Sequence, residues 1–445
     1  MKPEAAQDSY NERLLFGLGL LARLSAFFLL LFFYGAGAFY AANNGISITG
    51  NDLQNYLLDA RNLVHHGVYS RFPDPPFQPD SFRTPLFPLL LAPAVYFFGI
   101  SGIWIAVLVL DVFLSGIGIY VYRLAQLFLS KNASFIAGLL IVIWPLLAYQ
   151  TNLLEPDALF VFLFVYVIYR LVRFSRTEKT TDLVLSAVAL GLSILAKPVG
   201  TYLIPLLALW IGCMCYRKLK IATAVRHALL FIALSSLVLV PWVIRNKIVF
   251  GVAELSSITA YNFYAYHTHD FIFADESQPI APSQVREPER NLSYSSQYMH
   301  VVLQRISHNP IGYAGEHFVG FIRNLVANDL SAIYYLDHAK IIPFPYNPET
   351  KDPWSEFLKY ATQFVFVFVY LAIGSLLWKV RKNKDLYYTL LLFAFCVLYF
   401  TITPGPSSNP KYRLPALPFI VILFVYFCEY MKKTPKTRPV DTRQS

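Results

Sequence analysis

Apolar residues fall along this chain in blocks of about twenty, the length a helix needs to cross a ~30 Å hydrocarbon layer. The blocks predict spans near 14–40, 101–129, 133–151, 155–174, 181–197, 201–216, 224–243, 359–380, 386–403 and 411–430. The first, Leu14 to Tyr40, is too long for a signal-peptide core and reads as a retained span. Basic residues mark alternate ends of the blocks. Arg123 and Lys131, then Arg170, Arg173, Arg176 and Lys179, then Arg217, Lys218 and Lys220 are expected to face the cytoplasm. Lys379, Arg381, Lys382 and Lys384, and finally Lys432, Lys433 and Lys436, continue that series. One more apolar run, Thr84 to Gly99, breaks the alternation if it crosses. It holds Pro85, Pro88 and Pro93, which kink or end helices, so it is expected at the outer interface or re-entering the membrane. The fold class expected is an all-α polytopic membrane protein of about ten spans.

Polar segments between the blocks divide the chain. Residues 1–258 read as one membrane module whose first outer loop is 41–100. Residues 244–358 form a large extracytoplasmic loop, and 359–445 supply the last spans and a basic cytoplasmic tail. The polar island from Asp52 to Pro88 opens with an amphipathic helix, apolar at Leu53, Tyr56, Leu57, Ala60, Leu63 and Val64. Within the large loop, Ile311, Ala314, Phe318, Phe321, Ile322 and Leu325 share one helical face. That helix is expected to lie on the membrane or on the spans.

Composition agrees with the pattern. Of 445 residues, 56% are hydrophobic and only 14% charged, well below the charged share of a soluble domain. The net charge of +10 resides mostly at the ends of apolar blocks, which is a topology signal and excludes nucleic acid as a partner. Cys213, Cys215, Cys396 and Cys428 sit in or beside apolar segments and read as small apolar fillers. His65, His66, His267 and His269 lack further ligands at metal-site spacing. No cofactor is required, and a divalent cation is compatible with the sequence but not indicated.

The candidate chemistry gathers on the outer side. Asp52 stands at the start of the first-loop helix, either as its cap or as a general base held at the membrane surface. Glu155 and Asp157 lie on a very short turn. With Asn152, Glu155 matches a capping box, yet two carboxylates at the mouth of a span are costly unless used. Arg83, Lys197, Arg245, Lys411 and Arg413 run against the positive-inside trend. Each alone reads as a snorkelling cation; together they suit an anionic headgroup, since arginine pairs phosphate oxygens bidentately. Arg23 and Asp111 are intramembrane charges.

These pieces resemble the GT-C superfamily of lipid-dependent glycosyltransferases, in the branch of protein O-mannosyltransferases, aminoarabinose transferase and galacturonosyl transferases. The order is Asp52 after the first span, Tyr56-x3-Ala60-x2-Leu63-x3-Gly67, then Arg83-x-Pro85-Leu86-x-Pro88. There follow Glu155 or Asp157, Lys197-Pro198-x-Gly200, Pro241-Trp242-x2-Arg245-Asn246-x4-Gly251, and Tyr412-Arg413-x-Pro415-x2-Pro418. The resemblance is strongest over about 40–260. It implies transfer of a sugar from a polyprenyl-phosphate carrier to a glycan, lipid or protein acceptor, on the outer face of a bacterial inner membrane. It maps the catalytic carboxylate to Asp52 and the second acidic position to Glu155 or Asp157. The donor phosphate then falls to Arg83, Lys197, Arg245 and Arg413. The chain departs from the pattern in having Thr84 where many members have proline. It also lacks the acidic pair of mannosyltransferases, since Asn51 precedes Asp52. Both departures point away from a mannose donor and a protein acceptor.

The residue types fit such a reaction independently. A phosphate leaving group needs cations rather than a general acid, and an attacking hydroxyl needs one base. The result is a single inverting displacement. A transporter or lipid flippase is the rival expectation. It would show paired halves with broken helices at the midplane, and no such halves are visible.

Overall fold

The computed structural model describes residues 3–35, 50–267, 290–329, 353–407 and 409–433. No strand occurs among them. In chain order the helices are α1 (Pro3–Tyr34), α2 (Gly50–His66), α3 (Leu86–Phe98), α4 (Trp104–Leu114), α5 (Ile117–Ala125) and α6 (Lys131–Val142). Then come α7 (Pro145–Gln150), α8 (Asp157–Thr177), α9 (Thr180–Ala196), α10 (Leu203–Tyr216), α11 (Ile221–Phe250) and α12 (Ile258–Asn262). The last five are α13 (Ser295–His308), α14 (Pro310–Val326), α15 (Pro353–Val380), α16 (Lys384–Ile402) and α17 (Leu417–Lys433).

Among the described residues, seven helical segments are long and apolar enough to cross a membrane, and eight if the pair α6–α7, bent by 51°, is one broken span. The protein is a multi-pass membrane protein. The count falls short of the expected ten by α9 and α17, which have 17 residues each, about 26 Å of helix, yet run from one end of the bundle to the other. α3, in the proline-bearing 84–99 run, has 13 residues, about 20 Å.

α8 is the axis of the bundle, apolar on nearly every side and buried along most of its length, as an all-round hydrophobic helix must be. Phe160 and Phe164 stack on it, with ring centroids 5.9 Å apart, and meet Phe400 of α16 and Phe419 of α17 edge-on. α5 and α6 approach through Gly118 and Gly138. A Cβ on Gly138 would lie 3.0 Å from the Gly118 carbonyl and 2.9 Å from Leu15 of α1. Small residues are what allow backbones this close between membrane helices.

Polar residues collect at the two ends of the bundle. At one end Arg123 pairs with Glu12 at 2.7 Å and Lys131 with Asp8 at 3.2 Å. Asp182 there takes Arg170 at 2.7 Å and Arg173 at 3.2 Å. This is the end that carries the basic clusters. Within the bundle Asp111 of α4 lies in electrostatic reach of Arg23 of α1. At the other end lie the first loop, the α7–α8 turn, the start of α10 and the 402–413 turn.

The helix α14 sits at that second end. It docks through its small and polar side, with the apolar face turned out. Gly320 lies so close to the 405–406 backbone that a Cβ would be 2.0 Å from the Gly405 carbonyl. Asn324 donates to the carbonyls of Thr401 and Ser407. Ile311, Phe318 and Ile322 remain exposed.

Candidate active site

The first loop builds one half of the site. α2 starts at Gly50, so Asp52 falls inside its first turn rather than at the cap; its side chain lies outside the described residues. Tyr56 and Asp59 follow at four and seven residues, on the same helical face. Asp59 is fully buried, and neither carboxylate oxygen has a hydrogen-bond partner among the described residues. Asn62 donates to the carbonyls of Ser70 and Phe72, both at 2.7 Å, and so folds the 67–85 loop back on α2. Asp80 then organises the loop's tip. It accepts the backbone N–H groups of Phe82 at 3.0 Å and Arg83 at 3.1 Å, and pairs with Arg71 at 3.1 Å.

Three guanidinium groups converge here, each against aromatic rings. Arg71 lies 4.7 Å from the Phe82 ring, and Arg83 lies 4.9 Å from Tyr56 and 4.7 Å from Phe82. Arg245 of α11 lies 4.8 Å from Trp242. Its guanidinium donates to the Asp80 carbonyl at 2.6 Å, bringing α11 onto the first loop. The rest of the Trp-x2-Arg-Asn sequence fixes this approach. Trp242 donates to the Leu255 carbonyl, and Asn246 donates to the carbonyls of Glu254 and Leu255. Burial pushes the Asp59 carboxyl well above the usual carboxylate range, Asp80 adds to the rise, and the three arginines oppose it. Burial likewise raises the Tyr69 phenol, with Asp59 and Asp80 adding.

The α7–α8 turn builds the other half. Leu154 takes the left-handed conformation at φ 51°, a strained state for a branched residue that only surrounding structure can hold. Its neighbours supply that hold. Asn152 donates to the carbonyls of Ala148 and Arg23 instead of capping α8, so the expected capping box does not form. Glu155 accepts from Gln150 at 2.6 Å and faces Lys411 at 3.7 Å. Asp157, the first residue of α8, pairs with Lys197 at the end of α9. Both carboxylates are buried.

The two halves touch where Thr84 donates to the carbonyl of Ala196, the residue before Lys197, at 3.2 Å. Beside this junction is a cavity of about 170 Å³ lined by Lys197, Lys411, Tyr202, Asn262, Phe263 and Tyr412, among others. Arg83, Arg245, Lys197, Glu155 and Asp157 thus belong to one polar layer. Arg413 is placed differently. It is fully buried against Phe366, donates to the carbonyls of Leu325 and Ala327, and pairs with Asp329 at 2.7 Å. It anchors the end of α14.

Sequence reasoning missed Arg71, Tyr69, Asp80 and Asp59. Only Asp59 left a signal, an acidic residue on the apolar face two turns after Asp52. The others are brought in by loop folding.

A family profile described as dolichyl-phosphate-mannose-protein mannosyltransferase matches residues 82–244, which contain Arg83, both turn carboxylates and Lys197. Among solved structures, the archaeal oligosaccharyltransferase AglB from Archaeoglobus fulgidus, complexed with an inhibitory peptide and a dolichol-phosphate, superposes with a TM-score of 0.54. Identity is 13%, over 95% of this chain and 51% of that one. The fold is that of the GT-C superfamily. The same Archaeoglobus fulgidus enzyme tethered to an acceptor peptide containing the NVT sequon gives 0.51 at 14% identity, over 94% and 49% of the two chains. ArnT from Cupriavidus metallidurans in its apo state gives 0.48 at 14% identity, over 86% and 55%. The chain spans about half the length of the solved proteins it matches. A comparison with curated protein sequences finds no match.

Proposed function

We propose that the protein is a membrane glycosyltransferase that moves a sugar from a polyprenyl-phosphate carrier to a hydroxyl acceptor on the extracytoplasmic face. One observation carries this. The first-loop arginines and the turn carboxylates, far apart in sequence, lie on segments that the Thr84–Ala196 hydrogen bond joins at one end of a GT-C-like fold. Arg83 and Arg245 supply the cations a departing phosphate needs, with geometry fixed by rings and by Asp80. Asp52, one and two helical turns before Tyr56 and Asp59 on α2, is the base that takes the acceptor hydroxyl's proton. Glu155 and Asp157 form the second acidic position. The sugar is inverted in a single displacement, and this chemistry asks for no cofactor. A flippase or transporter would place its charges around a midplane path; here the charged groups concentrate at the ends.

The test is mass spectrometry of lipid-linked sugars and envelope glycans from cells with and without the protein. Loss of the protein is expected to raise one polyprenyl-phosphate sugar and to remove one glycan substituent. Unchanged pools of both would refute the transferase.

A further inference from the structure

The two ammonium groups that line the small cavity are each paired with a carboxylate. Lys197 and Lys411 reach its wall with their side chains about a quarter exposed, and each has a buried carboxylate behind it, Asp157 and Glu155. The other walls are the rings of Tyr202, Phe263 and Tyr412, and Asn262 offers an amide. At about 170 Å³ the space is far below the ~300–1,000 Å³ of sites for drug-sized ligands and suits one sugar ring.

Resting on the transferase function above, we propose that this cavity is the sugar subsite and that it selects a neutral monosaccharide. A hexose would set its C–H faces against the rings and its hydroxyls against the two ammonium groups and the Asn262 amide. A uronic acid would bring a carboxylate to cations that are already paired. An amino sugar would bring an ammonium to carboxylates that are already occupied. Either charge would be desolvated without an opposite charge to meet it, which is costly. Lys197 thereby belongs to the sugar, while Arg83 and Arg245 keep the phosphate. The discriminating residues are the four members of the two ion pairs.

The inference is tested by binding to the full-length protein in nanodiscs. The probes are undecaprenyl phosphate and the same lipid carrying glucose, glucuronic acid or 4-amino-4-deoxyarabinose. The glucosyl lipid is expected to bind at least ~tenfold tighter than the bare lipid, one charge-assisted hydrogen bond's worth or more, and tighter than both charged sugars. Asp157→Asn leaves Lys197 unbalanced and shifts preference ~tenfold toward the glucuronosyl lipid. Lys197→Met leaves Asp157 unbalanced and shifts it toward the amino sugar. The double substitution restores the original ranking. If a single variant fails to fold, Glu155→Gln and Lys411→Met make the same reversals at the other wall. A wild-type preference for a charged sugar, or single variants that keep the wild-type ranking, overturns the inference. Bare lipid bound with nothing gained from any sugar also overturns it, while leaving the transferase intact. No binding of any of the four lipids overturns the transferase itself and the inference with it.

Discussion

The two ends of the bundle use the same residue types for different purposes. At the basic end the ion pairs are partly open to solvent, as in Arg123–Glu12, whose side chains are 39% and 23% exposed. The pairs there tie α1 to α5 and α6, and α8 to α9. At the site end the first-loop charges are buried. Arg71 and Asp80 are 2% and 1% exposed as side chains, Asp59 has no hydrogen-bond partner for either oxygen among the described residues, and guanidinium groups rest on aromatic rings. Exposed pairs are worth little in stability because water and salt already screen them. Buried, under-paired charges cost stability and persist where the charge is used. The contrast separates charges that set topology and packing from charges arranged for chemistry.

Four tests would break or sharpen that contrast. The largest effect is expected at Asp52. Asp52→Asn keeps the shape but cannot take a proton, so transfer from a lipid-linked donor should fall by about 10²–10⁴-fold with folding and donor binding retained. Near-normal turnover in a reconstituted assay would remove Asp52 as the base and leave the turn carboxylates as candidates.

Next come the arginines of the same end. Arg83→Ala and Arg245→Ala should each cost about 1.5–3 kcal/mol in donor use, the value of a charged hydrogen bond. Lysine replacements should recover only part, because the bidentate fork is lost. Donor-concentration kinetics that leave both alanine variants unchanged would return these residues to a packing role.

A pH series on stability should show a smaller effect with a definite sign. The Asp59 carboxyl is raised by burial and by Asp80. A group raised on folding contributes stability that is full below its unfolded pKa and is lost as pH rises through its folded value. Asp59→Asn removes that loss. The thermal stability of the wild type should therefore fall, relative to the variant, as pH rises. A difference that stays flat or reverses with pH would mean that the arginines hold Asp59 ionised.

The smallest effect belongs to the basic end. Arg123→Ala should lower stability by about 1 kcal/mol or less and leave transfer unchanged. A large loss of transfer would erase the distinction between the ends.

Much of this was legible along the chain. Block length and basic clusters settled a polytopic helical bundle, because the cost of exposing apolar side chains and moving charges across a bilayer is imposed residue by residue. The ordered pieces around Asp52, Arg83, Glu155, Lys197 and Arg245 marked the candidate site for a similar reason, since each stands at the end of an apolar run where a charge is out of place. Three outcomes needed the tertiary structure. Arg413 looked like Arg83 in sequence, yet it is spent on Asp329 and two carbonyls at the end of α14. Asn152 and Glu155 looked like a capping box, yet the left-handed Leu154 aims them apart. Arg71 and Asp80 carried no signal, because what matters is the fold of the 67–85 loop over α2 and the arrival of Arg245 from 165 residues away. Hydrophobic pattern is a local property and can be read in order. The pairing of buried charges depends on which helix ends meet, and only the packed bundle decides that.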